Sequence, residues 1–394
     1  MENRCNLDLD FIPKELKLLL EIMKTENEDR YVPFLVETYK NIDWKLFLQL
    51  AMHHRVYPVI YSKLKNLNEN VIPKSVIETL YQEYRKNIFQ MLGLCREMEQ
   101  VSKLFTENRI AVLFLKGPVI AADIYDDISL RTSKDLDILI PINCLEKAEK
   151  LLLNCGYEKK VNPFILNEWK WKSHHMVYFH PQRNIQLEIH WRLQPRPWSE
   201  PSFSELWERR RVSTITTYPV HFLGKEDLFL YLVSHGARHA WFRLRWLLDI
   251  DKLLGKGIDF DKTNLLLKKY NNIHIVGQAL ILASQLLKTP IYDEMKTSKV
   301  RNRSKQLAQM AIFFMKDMLP LETIMLTNEY ERYQFSLKSS NLHKIYPILL
   351  LFYPTIADAE TLRLPKSIHF LYFPFRPFLW AWRTATKYTK SYRK

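Results

Sequence analysis

The stretch Ser133-Lys134-Asp135-Leu136-Asp137-Ile138-Leu139-Ile140 places the strongest constraint on the fold. Its alternation of acidic and apolar residues, followed by an aliphatic run, predicts a β-strand that enters the core. Residues two apart on a strand project to the same face, about 7 Å apart along the chain, so both carboxylates share one space. A divalent cation, or a pair of them, is the usual occupant of such a space. The stretch therefore predicts a metal site beside a buried strand, suited to phosphate chemistry.

Composition limits the classes of protein to which the chain can belong. Only 8 of the 394 residues are glycine, which disfavours glycine-rich phosphate loops and favours a largely helical protein. A formal net charge of +15 is typical of surfaces that attract polyanions or anionic membranes, although an ordinary soluble basic protein has the same balance. The 4 cysteines form no Cys-x-x-Cys pair, which argues against a zinc ribbon or a thioredoxin-like site. The polar N-terminus and the lack of a membrane-length apolar run predict a cytoplasmic protein that does not cross a membrane.

Apolar periodicity predicts an α+β protein, with a small mixed-sheet core flanked by N-terminal and C-terminal helical regions. We expect four parts: a helical region over 1–100, an α/β core over 101–195, a helical domain over 196–345 and a basic aromatic tail over 346–394. The core pattern comprises a strand at 110–115, a helix at 119–125, a strand at 135–140, a helix at 145–154, and a hairpin of strands at 175–180 and 185–191.

Glu188 is the best candidate for a third acid. It alternates with Leu187 and Ile189 on its predicted strand, so it projects from one face. If that strand lies beside the one carrying Asp135 and Asp137, three carboxylates converge as ligands for one or two metal ions. The alternative is that Glu188 is a surface carboxylate on an edge strand.

Four residues near the acidic pair are candidate phosphate ligands. Lys116 and Gly117 end the preceding strand, where the lysine can neutralise a triphosphate and the glycine lets the backbone approach it. Arg131 and Ser133 flank the aspartates and are able to hold phosphate oxygens. A lysine on the surface, or an arginine that orders a loop, gives the same sequence signal, so each of these phosphate assignments is a hypothesis.

Together these motifs resemble the nucleotidyltransferase superfamily that includes DNA polymerase β and the aminoglycoside nucleotidyltransferases. The chain is more closely similar to an uncharacterised bacterial nucleotidyltransferase family. That family shows a Leu-Lys-Gly turn, an Arg-x-x-x-Asp-x-Asp strand and a Glu-x-His-Trp strand, here Leu115 to Gly117, Arg131 to Asp137 and Glu188 to Trp191. The resemblance implies Mg²⁺, with Mn²⁺ as a substitute, and a nucleoside triphosphate such as ATP. The superfamily's Gly-Ser pair is absent because Pro118 follows Gly117. Lys116 and Ser133 therefore become the more important candidate phosphate ligands.

A further resemblance lies in a helical His-x-x-x-His…Arg-x-x-Trp-x-x-Asp segment, formed by His235, His239, Arg243, Trp246 and Asp249. His235 and His239 share a helix face at i, i+4, which is compatible with a metal site or a nucleotide contact. The favoured interpretation is a structural pair packed near Trp241 and Trp246 and bonded to Asp249 or Asp251. We also list His239 and Arg243 as candidate nucleotide contacts.

The tail after Glu360 is basic and aromatic and contains no acid. Such a segment suits a membrane surface or nucleic acid. We expect instead that its aromatic residues pack on the helical domain, because Pro365, Pro374 and Pro377 should prevent a long amphipathic helix.

The sequence thus predicts a Mg²⁺-dependent nucleotidyltransferase. It would move a nucleoside monophosphate from a nucleoside triphosphate to a hydroxyl or phosphate of a small molecule, peptide or protein. Two alternatives remain: transfer of a sugar or another group from a nucleotide-activated donor to a modified peptide, and non-catalytic binding of nucleic acid or a membrane surface.

Overall fold

The computed structural model describes residues 6–24, 31–39, 41–67, 71–160, 173–270, 273–291, 302–338 and 341–391. Helices dominate both ends of the chain and one mixed sheet lies between them, which confirms the predicted α+β class. The N-terminal helices are α1 (Lys14–Lys24), α2 (Tyr31–Thr38), α3 (Trp44–His53), α4 (Tyr57–Leu64) and α5 (Lys74–Glu107). The longest of these, α5, lies mostly in the helical region predicted over 1–100, and its apolar stripe is buried against the rest of the protein.

The sheet has seven strands. They are β1 (Leu113–Phe114), β2 (Asp135–Leu139), β3 (Glu158–Lys159), β4 (His175–His180), β5 (Ile185–His190), β6 (Arg211–Ser213) and β7 (Val220–Phe222). Their order is β3-β4-β5-β2-β1-β7-β6. In the centre, β2 pairs in parallel with β5 and antiparallel with β1. The acidic strand is therefore an interior strand of the sheet.

The four predicted strands are present, although only two residues of 110–115 join the ladder. The predicted helices become α6 (Pro118–Tyr125) and α7 (Leu145–Asn154). Strands β3, β6 and β7 were not predicted, because two or three residues are too few to show an alternating pattern.

Helices resume after the sheet. They are α8 (Phe203–Glu208), α9 (Lys225–Arg238), α10 (Leu244–Gly255), α11 (Phe260–Tyr270), α12 (Ile273–Leu287), α13 (Asn302–Lys316), α14 (Leu321–Ile324), α15 (Asn328–Leu337), α16 (Asn341–Leu351), α17 (Ile356–Thr361) and α18 (Tyr372–Ser391). Helices α9 and α10 are separated by a turn at Ala240 and Trp241, which both have positive φ. Gly236 makes room for this turn, since a Cβ there would lie 2.5 Å from the Trp241 ring.

The tail differs from expectation in two ways. First, α18 is a 20-residue helix that contains Pro374 and Pro377. Pro374 lies in the first turn, where its missing N–H costs nothing, and the helix tolerates one lost hydrogen bond at Pro377. Second, many of its aromatic residues are exposed, including Phe378 at 73% and Trp382 at 66%, whereas Tyr372 is buried.

One continuous apolar core connects the N-terminal helices, the sheet and the helices that follow it. Helix α5 runs through the predicted boundary at residue 100, and the four-part division stays a prediction. Within the described ranges, no helix combines the length and the apolar character needed to cross a bilayer.

Candidate active site

Three acidic side chains project from one face of the sheet. In the parallel β2–β5 ladder, Asp137 is the register partner of Glu188, and Asp135 is that of Gln186. Because side chains alternate along a strand, Asp135, Asp137 and Glu188 share a face. The juxtaposition of strands that was expected from the sequence is therefore present.

A lysine and a histidine contact these acids. The Nζ of Lys116 lies 3.0 Å from Oδ2 of Asp137, and both side chains are largely buried. The Nε2 of His190 lies 3.1 Å from Oδ1 of Asp137 and 3.5 Å from Oε2 of Glu188. Asp137 therefore lies between a lysine and a histidine, and Glu188 shares that histidine.

Burial and neighbouring charges act in opposite directions on the pKa values of Asp137 and His190. Burial raises the pKa of Asp137, but the Lys116 ammonium and the His190 hydrogen bond outweigh it and hold that pKa well below its usual value. Burial lowers the pKa of His190, yet its bonds to Asp137 and Glu188 leave that pKa raised. For Asp135, burial and the neighbouring Asp137 both raise the pKa. Asp135 is thus the acid with the least compensated charge, and its carboxylate makes no hydrogen bond or ion pair with the described residues.

The ligand atoms of Asp137, Glu188 and His190 all lie within 4.8 Å of one another, as do those of His174, His175 and His190. The set predicted from the sequence, Asp135, Asp137 and Glu188, forms no such group in the described part of the chain. His190, rather than Asp135, completes the group with Asp137 and Glu188. Its spacing from Glu188, two residues on one strand, is the same signal that identified the two aspartates, and it was overlooked.

The turn after β1 brings backbone close to the acidic strand. Gly117 precedes α6 with φ +93°, and a Cβ there would lie 3.3 Å from Cδ2 of Leu136 and 3.9 Å from the Asp135 carbonyl oxygen. Glycine is favoured at this φ and permits this approach. Ser133 is buried, and its hydroxyl donates to the Asp135 carbonyl at 3.0 Å. Both residues therefore shape the backbone around Asp135.

Arg131 makes a buried ion pair. Its Nε and Nη2 donate to the Asp249 carboxylate at 2.9 and 3.0 Å, and both side chains are fully buried. The Tyr125 hydroxyl also donates to Asp249, at 2.8 Å. The Arg131 guanidinium therefore binds a carboxylate of the protein itself instead of a phosphate, and it supports the loop before β2.

The His235 and His239 rings lie 4.7 Å apart and pack against Trp246 at 5.3 and 5.4 Å. This agrees with the favoured structural pair, but the expected bond to Asp249 or Asp251 is absent among the described residues. Asp249 accepts from Arg131 and Tyr125, and Asp251 accepts from Thr289. Burial lowers the pKa of both histidines well below the ordinary value. They are therefore neutral and lie in neither metal-binding group.

Arg55, Lys134 and Arg245 lie close enough to Asp135 to interact with its charge, and Arg243 lies close to Lys134 and Arg245. These four cationic residues are here called the basic cluster. Hydrogen bonds tie their segments together, because Arg243 donates to the His53 carbonyl at 2.5 Å and Arg245 to the Thr132 carbonyl. None of the four forms an ion pair with a described acid within 4 Å. Burial and mutual repulsion lower the pKa of Arg245 to about 9 and those of Arg55 and Arg243 to about 10. Of the four, only Arg243 was named from the sequence, since positions this distant in the chain show no common pattern.

Comparison with known protein families identifies the family to which the protein belongs. Residues 40–288 match the model of a family described as an uncharacterised nucleotidyltransferase. The chain belongs to this family. Membership indicates a transferase that uses a nucleoside triphosphate, and enzymes of this kind generally require a divalent metal ion. The matched range contains the whole sheet and the basic cluster, whereas α13 to α18 lie beyond it. No curated protein and no solved structure matches the chain.

Proposed function

We propose that this protein transfers a nucleoside monophosphate from a nucleoside triphosphate to a hydroxyl or phosphate of an acceptor, with Mg²⁺ as cofactor. The observation that supports this most directly is the pairing of Asp137 with Glu188 across the β2–β5 ladder, with Asp135 on the same face. Family membership supports the same class of reaction.

The donor atoms at this face suit Mg²⁺ or Mn²⁺, which prefer carboxylate oxygens. Asp135 has no partner among the described residues, so its oxygens are available as ligands. Asp137, Glu188 and His190, whose ligand atoms lie within 4.8 Å of one another, would hold the metal, and Asp135 on the same face would be a further ligand. When bound, Mg²⁺ lowers the pKa of an attacking hydroxyl and stabilises the leaving pyrophosphate.

The surrounding residues position these acids. Lys116 and His190 hold the Asp137 carboxylate from both sides, which fixes its orientation before substrate binds. Gln186 donates to Glu188 Oε1 at 3.0 Å and restrains the third acid. Gly117 and Ser133 keep the backbone of Asp135 in place, so they act through that residue.

The basic cluster is the candidate binding site for the triphosphate. Its four cations lack acidic partners in the described part of the chain, and they repel one another. A triphosphate would relieve that repulsion and accept several charge-assisted hydrogen bonds. This assignment retains Arg243 as a phosphate ligand. It leaves His239 as a candidate contact to the base, since it lies four residues before Arg243.

Metal-dependent nucleotide binding tests the proposal without knowledge of the acceptor. We expect Mg²⁺ with a nucleoside triphosphate to raise the melting temperature of the wild type, because a bound ligand stabilises the folded state. Asp137→Asn and Asp135→Asn should lose this shift, whereas Glu78→Gln, a substitution of an exposed acid on α5, should keep it. Equal shifts in wild type and Asp137→Asn would contradict the proposed site. Pyrophosphate release with a panel of acceptors then identifies the reaction.

A further inference from the structure

Two C-terminal helices expose apolar stripes. On α18, Phe375, Phe378 and Trp382 follow one another at i, i+3 and i+7 and are 40%, 73% and 66% exposed. On α16, Ile345, Ile348 and Leu349 are 47%, 54% and 60% exposed. Scattered exposed apolar residues are ordinary, but stripes at helical spacing form amphipathic faces. These six residues are called the C-terminal stripes below.

An adjacent side of α18 is fixed to the protein, which gives the helix a defined orientation. Arg376 and Arg383 donate to the buried Asp358 carboxylate of α17 at 2.6 and 2.7 Å. Tyr372 is fully buried, and its hydroxyl donates to the Leu362 carbonyl at 2.7 Å. Arg376 also donates to the Leu351 carbonyl at the end of α16, at 2.5 Å. Polar contacts thus hold α18 by one side and leave the aromatic stripe facing outward.

The charge of this region is one-sided. Residues 361–394 contain eight lysines and arginines and no acid, so they account for +8 of the chain's net charge of +15. Arg376 and Arg383 pair with Asp358, and the other six cations of this stretch leave it strongly positive. A region that combines exposed aromatic and aliphatic residues with net positive charge is complementary to a surface that is apolar below and anionic above.

We propose that the C-terminal stripes dock the protein on an anionic lipid bilayer, with α18 lying in the plane of the interface. Tryptophan and phenylalanine favour the boundary between headgroups and acyl chains, and neighbouring lysines and arginines are attracted to anionic headgroups. Single-stranded nucleic acid fits less well, because its bases stack on aromatic rings, whereas half of the stripe residues are isoleucine and leucine. The surface lies outside the family match and does not depend on the proposed reaction.

Co-sedimentation of the full chain with vesicles tests this docking. We expect binding to vesicles of phosphatidylcholine with phosphatidylserine, weakened by salt, and little binding to phosphatidylcholine alone. The double variant Phe378→Glu/Trp382→Glu should bind the anionic vesicles about tenfold or more weakly, because two apolar anchors are lost and two negative charges are added. Phe89→Glu, which changes a residue of α5 that is 67% exposed, is the matched control and should bind like the wild type.

A second double variant tests whether positive charge contributes to vesicle binding without a change in folding. Lys387→Glu/Lys390→Glu keeps the stripes and reverses two charges, so it should also weaken binding while the circular dichroism spectrum and melting temperature stay unchanged. Equal vesicle binding by the wild type and both double variants would overturn the proposal. So would binding to single-stranded RNA, or stripe-dependent dimerisation, by a wild type that does not bind anionic vesicles.

Discussion

Asp137 lies directly opposite Glu188 across the parallel ladder of β2 and β5, and His190 contacts both carboxylates. The site therefore already holds the Lys116 ammonium and a histidine ring against its acids. Lys116 and His190 offset the repulsion between the buried Asp137 and the half-buried Glu188, which would otherwise favour the neutral form of one of them. The Asp135 carboxylate lacks such a partner among the described residues and interacts with the basic cluster. The site therefore has acids with ion-pair partners on one side and cations without acidic partners in the described chain on the other.

The buried pair of Lys116 and Asp137 should show strong coupling. Asp137→Asn leaves a buried ammonium without its counterion and should cost about 3–5 kcal/mol of unfolding free energy. Lys116→Met should cost less, because His190 still pairs with Asp137. The double variant Lys116→Met/Asp137→Asn should therefore be more stable than Asp137→Asn alone. Urea unfolding of all three variants measures this, and simple additivity of the two single effects would refute the coupling.

Much of the site was predictable because it lies on strands. Alternation placed Asp135, Asp137 and Glu188 on strand faces, whereas the pairing of the Glu188 strand with the acidic strand was a condition that the parallel β2–β5 ladder fulfils. His190 was equally visible by its spacing from Glu188. A search for carboxylates alone missed it, although the structure places its ring between two of them.

The remainder depends on tertiary contacts that no local pattern reports. Arg131 looks like a phosphate ligand from its position, but its guanidinium binds Asp249, which is 118 residues away. Arg55 and Arg245 meet only because α10 begins against the loop after α3, where the Arg245 N–H donates to the His54 carbonyl at 3.2 Å. The tail was mispredicted because proline was treated as a helix breaker without regard to its position in the first turn.

The basic cluster should affect stability and nucleotide affinity in opposite directions. Arg55→Gln removes one of several mutually repelling cations, so the free protein should be as stable as the wild type or slightly more stable. The same change should weaken binding of Mg²⁺ with a nucleoside triphosphate about tenfold and reduce its salt dependence, since a charge-assisted contact is lost. Calorimetric titration and thermal melts measure both quantities. Arg85→Gln on α5 is the control, and a loss of stability without a loss of affinity would assign Arg55 a structural role.

The turn at Gly117 should tolerate no side chain. Gly117→Ala places a Cβ on a residue with φ +93°, 3.3 Å from Leu136, and should cost about 1–2 kcal/mol of unfolding free energy. Because the turn contacts β2 beside Asp135, nucleotide affinity should also fall. Gly255→Ala at the end of α10 is the matched control: no atom lies within 4 Å of the Cβ built there, so both properties should be unchanged. Equal stability of the two variants would show that the turn is not constrained.

Glu200 should make the stability of the protein depend on pH. Burial raises its pKa to about 7, despite hydrogen bonds from the N–H groups of Leu193 and Gln194 and an ion pair with Arg192. A carboxyl whose pKa is higher when folded stabilises the protein fully below its unfolded pKa of about 4.3, and this contribution disappears as the pH rises to about 7. Between pH 5 and pH 7.5 the wild type should therefore lose about 2 kcal/mol of unfolding free energy relative to Glu200→Gln, which cannot ionise. Urea unfolding at both pH values checks this against Glu208→Gln, an exposed control, and a constant difference between wild type and Glu200→Gln would mean that Glu200 ionises as readily in the folded protein as in the unfolded chain.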